Sequence, residues 1–251
     1  MKLTTLSLST VASTLHVTLN RPDARNAMNL AMCEDLIATF DTLKSRADLR
    51  AVVLRAEGSA FCAGVDIKEM IGKDAAWVLM RRNLGIDAFL AIERCALPVI
   101  GVVHGSVLGA GAEMASACDF LIAANNAIFQ WPEALRGAVG ATQRLPRTVG
   151  RAMAKELLFT ARKVHTDEAK SLGLVNHVVA PHLLDRTLSD TVVLIERCGP
   201  VAVRLIKQAV NLGENRDRSA AVDIERQLIE QSLQYPEWRE GIENFLKNPR
   251  S

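Results

Sequence analysis

Two carboxylates and a run of small residues are the parts of this sequence best suited to chemistry. Glu113 ends the segment Leu108-Gly-Ala-Gly-Ala-Glu113, and Glu133 follows 20 residues later in Trp131-Pro-Glu133. The small residues at 109–112 open a predicted helix. Its first N–H groups lack intrahelical acceptors and carry the positive end of the helix dipole. With no bulky side chain in the way, a ligand oxygen can approach that backbone, which is how an oxyanion hole is built. Glu133 falls in a loop after a predicted strand. Two carboxylates brought together from such positions can each handle one proton. Each feature alone also has a packing explanation: an early helical glutamate offsets the dipole, and a Gly/Ala-rich helix start allows close approach.

The elements that must position these groups are legible as a rhythm. Alternating runs around Leu3–Leu8 and Leu15–Leu19 predict a hairpin-like strand pair. Met32, Leu36, Ile37, Phe40 and Leu43 recur at helical spacing and predict a helix from Asn29 to Lys44. Three short, almost continuously apolar runs, Ala51–Leu54, Pro98–Val103 and Phe120–Ala124, suit strands covered on both faces. The first two lead into Gly-containing loops at 57–64 and 104–111, each followed by a helical pattern. Ligands bind at such loops in α/β folds. From Ala141 onward the pattern reads as almost wholly helical. Thr166 is the expected N-cap of one helix with Gly173 past its end, Pro200 starts another, and Ser219–Leu233 and Pro236–Leu246 supply two more. The expected organisation is a core over 1–195 and a helical region over 196–251.

Composition narrows the function. The 251 residues are 49% apolar, enough for one substantial core. Thirty basic and 28 acidic residues leave a net charge of +2, and aromatics make up 4%, so a nucleic-acid partner is not expected. The odd count of five cysteines, without CxxC spacing, argues against a disulfide framework or zinc site and for a reducing, cytoplasmic setting. The opening MKLTTLSLSTVAS lacks the sustained apolar core of a secretory signal, and no apolar stretch suits a membrane span.

Several segments, in order, resemble one family. Asn20-Arg-Pro-Asp-Ala-Arg-Asn-Ala-Met28 resembles the "LNRP…NA" opening of the enoyl-CoA hydratase/isomerase (crotonase) family. Phe61-Cys-Ala-Gly-Val-Asp-Ile-Lys-Glu-Met70 resembles its "F-x-A-G-x-D-[IL]-K-E" segment, and Leu108–Glu113 with Cys118-Asp119 its "LGGGCE…CD". Pro132-Glu133, Thr142-Gln-Arg-Leu-Pro146, Ala169–Val175 and Glu240–Phe245 follow in the family's order. The resemblance runs from about residue 3 to 248.

The resemblance implies an α/β fold, a crotonase-like spiral of ββα units with a C-terminal helical trimerisation region, assembled as a homotrimer or homohexamer. It implies an acyl-CoA thioester as the partner, with CoA part of the substrate and no cofactor or metal. Val65 and Ala110 match the family's oxyanion-hole donors, and Glu113 and Glu133 its two hydratase glutamates, Glu133 giving a proton to Cα and Glu113 orienting water. Ala63, Asp66 and Ile67 match backbone contacts to CoA. Arg25 and Lys68 match partners for its phosphates, with Lys247 or Arg250 as further candidates. The implied activity is hydration of an enoyl-CoA. The alternatives are an enoyl-CoA isomerase, a branched methylglutaconyl-type hydratase (a resemblance carried by Ala154–Ala161), and a non-catalytic acyl-CoA or RNA-binding member. One departure stands out. After Glu133 the family carries "G-x-x-P-G-x-G-G", whereas here only the shorter Gly137-Ala-Val-Gly-Ala141 precedes Thr142.

Overall fold

The computed structural model describes residues 3–247. Strands β1 (Leu6–Val11) and β2 (Thr14–Leu19) form an antiparallel hairpin, with Leu6 opposite Leu19. The first strand begins later than the alternation at Leu3 predicts. The N–H groups of Thr4 and Thr5 donate instead to Asp35 Oδ2, both at 2.9 Å. Asp35 lies on helix α1 (Leu30–Thr42), which Asn29 caps by accepting from the Met32 N–H. A 3₁₀ turn at Leu43–Ser45 completes the predicted helix.

Strands β3 (Ala51–Ala56), β4 (Val99–Val103), β6 (Phe120–Ala124) and β9 (His177–Val179) extend the hairpin into a six-stranded sheet of order β1-β2-β3-β4-β6-β9, parallel from β2 onward. Both faces are covered, which explains the continuous apolar runs. Val52, Leu54, Val99 and Ala123 join the main core with α1 and α2 (Ala75–Glu93), whose Phe89 and Ile92 are buried there. The alternate residues Val53, Ile100, Val102 and Ile122 pack on Leu184 and Leu188 of α7 (Leu184–Glu196).

A second sheet of three short strands, β5 (Ser106–Leu108), β7 (Ile128–Gln130) and β8 (Val164–His165), stacks beside α3 (Ala110–Ser116). Strands β8 and β9 are short additions to the almost wholly helical run expected after Ala141. They separate α4 (Arg144–Val149), α5 (Arg151–Thr160) and α6 (Thr166–Ser171) from the later helices. Thr166 is not the N-cap of α6: His165 holds that place, and the Thr166 hydroxyl donates to Asn125 O at 3.2 Å. Gly173 does end α6, at φ 78°. Its N–H bonds to Lys170 O and that of Leu174 to Ala169 O, the paired bonds of a left-handed C-terminal cap.

Helices α8 (Pro200–Gly213), α9 (Arg218–Ser232) and α10 (Glu237–Lys247) follow. Lys207 fixes α8 to the core through Asp119 (2.7 Å) and Leu97 O (2.9 Å). The Glu237 carboxylate caps α8 by accepting from the N–H groups of Val201 and Ala202. Among the described residues, no helix is long and apolar enough to cross a membrane.

Candidate active site

The two Gly-containing loops after β3 and β4 are strapped together. Cys62 donates its N–H to Ser106 O and accepts from the Leu108 N–H, both at 3.0 Å. Gly111 permits this approach, since a Cβ there would lie 2.5 Å from Cys62 O. The strapping sets two loop segments side by side, 62–66 and 108–111. Among the described residues, neither the Val65 nor the Ala110 N–H donates a hydrogen bond within the chain. Val65 is held from both sides: the Met28 N–H donates to Gly64 O at 2.8 Å, and the Asp66 N–H to Met28 O at 3.0 Å. Two unused backbone donors on adjoining, internally bonded segments can polarise one carbonyl oxygen and stabilise the charge that develops on it.

Both predicted carboxylates border this place. Glu113 lies in the first turn of α3, its N–H bonded to Gly109 O. Glu133 precedes a 3₁₀ turn at Ala134–Arg136. Its side chain lies against two glycines. A Cβ on Gly109 would stand 2.7 Å from Glu133 Oε1, and one on Gly140 would stand 2.9 Å from its Cγ. Gly109 (φ 49°, ψ −115°) adopts a backbone conformation that side-chain-bearing residues avoid. Glu133 Oε2 is buried and has no hydrogen-bond partner.

Burial pushes both carboxyls above the usual carboxylate range. For Glu113, the Arg144 guanidinium and the Ala141 N–H oppose that rise, while the charge of Glu133 adds to it. For Glu133, its own N–H, Arg136 and Arg82 oppose it. A coupled pair with raised pKa values can hold one proton and give it up again, as acid–base work at a carbonyl α-carbon requires.

The predicted CoA contacts lie on the rim of the same loops. The Ala63 N–H donates to Arg25 O at 3.0 Å, joining the two segments. The N–H groups of Ala63 and Asp66 are therefore already committed, and the Asp66 carbonyl accepts from the Glu69 N–H at 3.2 Å, leaving the Ala63 carbonyl and the Ile67 N–H for a ligand. The Asp66 carboxylate is taken by Arg21 at 3.0 Å. Arg25 and Lys68 are exposed, with Arg25 in the left-handed region at φ 49°. Lys247 is at the end of α10, and Arg250 lies outside the described residues. His104 Nε2 contacts Gly58 O at 2.9 Å, a structural role. No group of three or more potential metal ligands occurs among the described residues.

The sequence reading missed the cations around the pair. Arg144 is pinned by Glu93 Oε2 (2.6 Å) and lies over the Phe89 ring. Arg82 donates to Val139 O at 2.8 Å. Their positions in apolar or mixed segments gave little sign of this, although Arg144 lies in a segment already noted.

Two sheets with such loops at their strand ends, followed by a helical C-terminal region, constitute the crotonase fold. The structure matches that of an enoyl-CoA hydratase from Bacillus anthracis with a TM-score of 0.94 and 33% identity, covering 97% of this chain and 96% of that one. The family model for enoyl-CoA hydratase/isomerase matches residues 9–250. A short-chain-enoyl-CoA hydratase of Clostridium acetobutylicum is 36% identical over 98% of this chain and 96% of its own length. A human mitochondrial Delta(3,5)-Delta(2,4)-dienoyl-CoA isomerase is 39% identical over 82% of this chain and 67% of its own. The chain belongs to the enoyl-CoA hydratase/isomerase family.

Proposed function

We propose that the protein adds water to the double bond of an α,β-unsaturated acyl-CoA thioester. The observation that carries this reading is the pair of half-buried carboxyls, Glu113 and Glu133, beside two unused backbone donors. In the proposed reaction the thioester oxygen accepts from the Val65 and Ala110 N–H groups. Attack of water on Cβ moves electron density onto that oxygen, and the fixed donors act more strongly on the resulting enolate than on the neutral substrate. One carboxylate takes the water proton while the other, protonated, supplies Cα; Glu133 is assigned the latter role. CoA lies along the rim formed by Arg25 and residues 63–68. The site calls for no metal or separate cofactor.

Double-bond migration is the second reading, favoured by the identity to the dienoyl-CoA isomerase. It needs proton removal and return at carbon but no bound water. Supplying crotonyl-CoA and a β,γ-unsaturated acyl-CoA separately tells them apart. A hydratase yields the 3-hydroxyacyl thioester from the first; an isomerase leaves the first unchanged and converts the second to its conjugated isomer.

The same proposal assigns region 196–251 to assembly into trimers or pairs of trimers. The exposed apolar residues Ile206, Val210, Ile229, Ile242 and Phe245 support it. A stable monomer by light scattering contradicts it.

A further inference from the structure

We propose that two consecutive arginines of α2, Arg81 and Arg82, brace the two halves of the site, Arg81 holding the Val65 donor and Arg82 the loop after Glu133. The inference rests on the donor-and-carboxylate reading of the site but does not depend on which reaction follows.

Arg81 is buried, an unusual place for a guanidinium. Its Nη2 donates to Met28 O, the same carbonyl that accepts from the Asp66 N–H. Val65 lies between Gly64 and Asp66, and both are bonded to Met28. A shift of Met28 therefore moves the Val65 N–H with it. Arg81 Nε stands 3.8 Å from Glu69 Oε2, beyond hydrogen-bond reach, so that pairing is coulombic. Glu69 in turn accepts from the Leu30 N–H at 2.9 Å and caps α1. Gly85, one turn along α2, lies beside the guanidinium: a Cβ there would be in ordinary contact with Arg81 Nη1, at 3.5 Å. A buried cation held this way is a positioning device, because it ties the Met28 carbonyl to Glu69 and so to the start of α1, a link that removing it breaks.

Arg82 leaves α2 in the other direction. Its Nη1 donates to Val139 O at 2.8 Å, next to Gly140, which packs on Glu133, and Ala141, whose N–H faces Glu113. This is the segment that is short relative to the family pattern. The other charges facing the carboxyl pair are Arg144 from α4 and Arg136 from the turn after Glu133.

The test uses the full-length protein, with Arg81→Lys and Arg82→Gln beside wild type, and two readouts that a general loss of stability does not separate. The first is the red shift of bound para-dimethylaminocinnamoyl-CoA, a thioester whose absorbance moves when its carbonyl is polarised. The second is amide hydrogen exchange at residues 137–141. Arg81→Lys is expected to lose more than half of the red shift with exchange at 137–141 unchanged, and Arg82→Gln to speed that exchange about ten-fold or more with the red shift retained. If Arg81→Lys does not fold, Glu69→Gln takes its place, with a smaller loss of red shift expected. The brace is overturned if either variant leaves its assigned readout at the wild-type value, or if each moves both readouts alike. A wild type that binds the probe without any red shift overturns the donor reading itself, with the exchange result still deciding the Arg82 half.

Discussion

Replacing Gly111 with alanine tests the strapping of the two donor segments. The new methyl carbon would stand 2.5 Å from Cys62 O and 2.7 Å from Cys62 Cβ. Relief to an ordinary contact of 3.4 Å requires the segments to part by roughly 0.9 Å. Cys62 cannot easily give way, because its N–H and C=O are both bonded to the β5 segment. The motion therefore falls on the start of α3, which carries Ala110. A misplacement of about 1 Å costs on the order of 10²-fold in rate, and loss of an oxyanion donor about 10²–10³-fold. Overpacking costs about 1–3 kcal/mol of stability, roughly 2–12 °C in a chain of this size, which leaves the protein folded at room temperature. The expected result is a fall in kcat of about 10²-fold with KM within about three-fold, because the donors act mainly in the transition state. Enoyl-CoA hydration at saturating substrate and thermal melting by circular dichroism measure the two effects. A kcat within about three-fold of wild type refutes the argument that these segments form the oxyanion hole.

Glu133→Gln is expected to abolish turnover yet raise stability at neutral pH by about 1 kcal/mol, because it removes a buried charge whose Oε2 has no partner. The sign follows from the raised pKa. A carboxyl whose folded pKa is raised contributes stability below its unfolded pKa and loses it as pH rises through the folded value. The gain in Tm should therefore be present at neutral pH and vanish in acid; a gain that grows in acid contradicts this. The acid limb of kcat/KM should lie above the ordinary carboxylate range, because burial raises both glutamates. Arg144→Gln should move that limb higher still by removing the cation that favours ionised Glu113, and a downward move contradicts the assignment. Ala141→Gly should stabilise the fold by about 0.5–1 kcal/mol in chemical denaturation, since Ala141 sits at φ 55°, where a side chain is strained.

The strands that carry the site loops were legible because burial on both faces leaves a continuous apolar run, as in Ala51–Leu54 and Pro98–Val103. Strands β8 and β9, of two and three residues, were not legible. They are too short to show a period, and only their partners in the two sheets define them. Leu108–Glu113 showed that a helix start open to a ligand was present. Which donors stay free depended on the pairing of Cys62 and Met28, which links positions far apart in sequence. Arg81 escaped notice because an arginine pair in a helix reads as solvent-facing. Only the packing of α2 against Met28 and Glu69, far apart from it in sequence, turns the guanidinium inward.

Hydration of crotonyl-CoA, followed by loss of the enoyl-thioester ultraviolet absorbance, tests the central claim most directly when wild type is run beside Glu113→Gln and Glu133→Gln. The account predicts rapid loss in wild type and at least a 10²-fold slower loss in each variant, with binding of the thioester retained. Near-wild-type hydration by either variant, or a wild type that binds crotonyl-CoA and leaves it unhydrated, contradicts it.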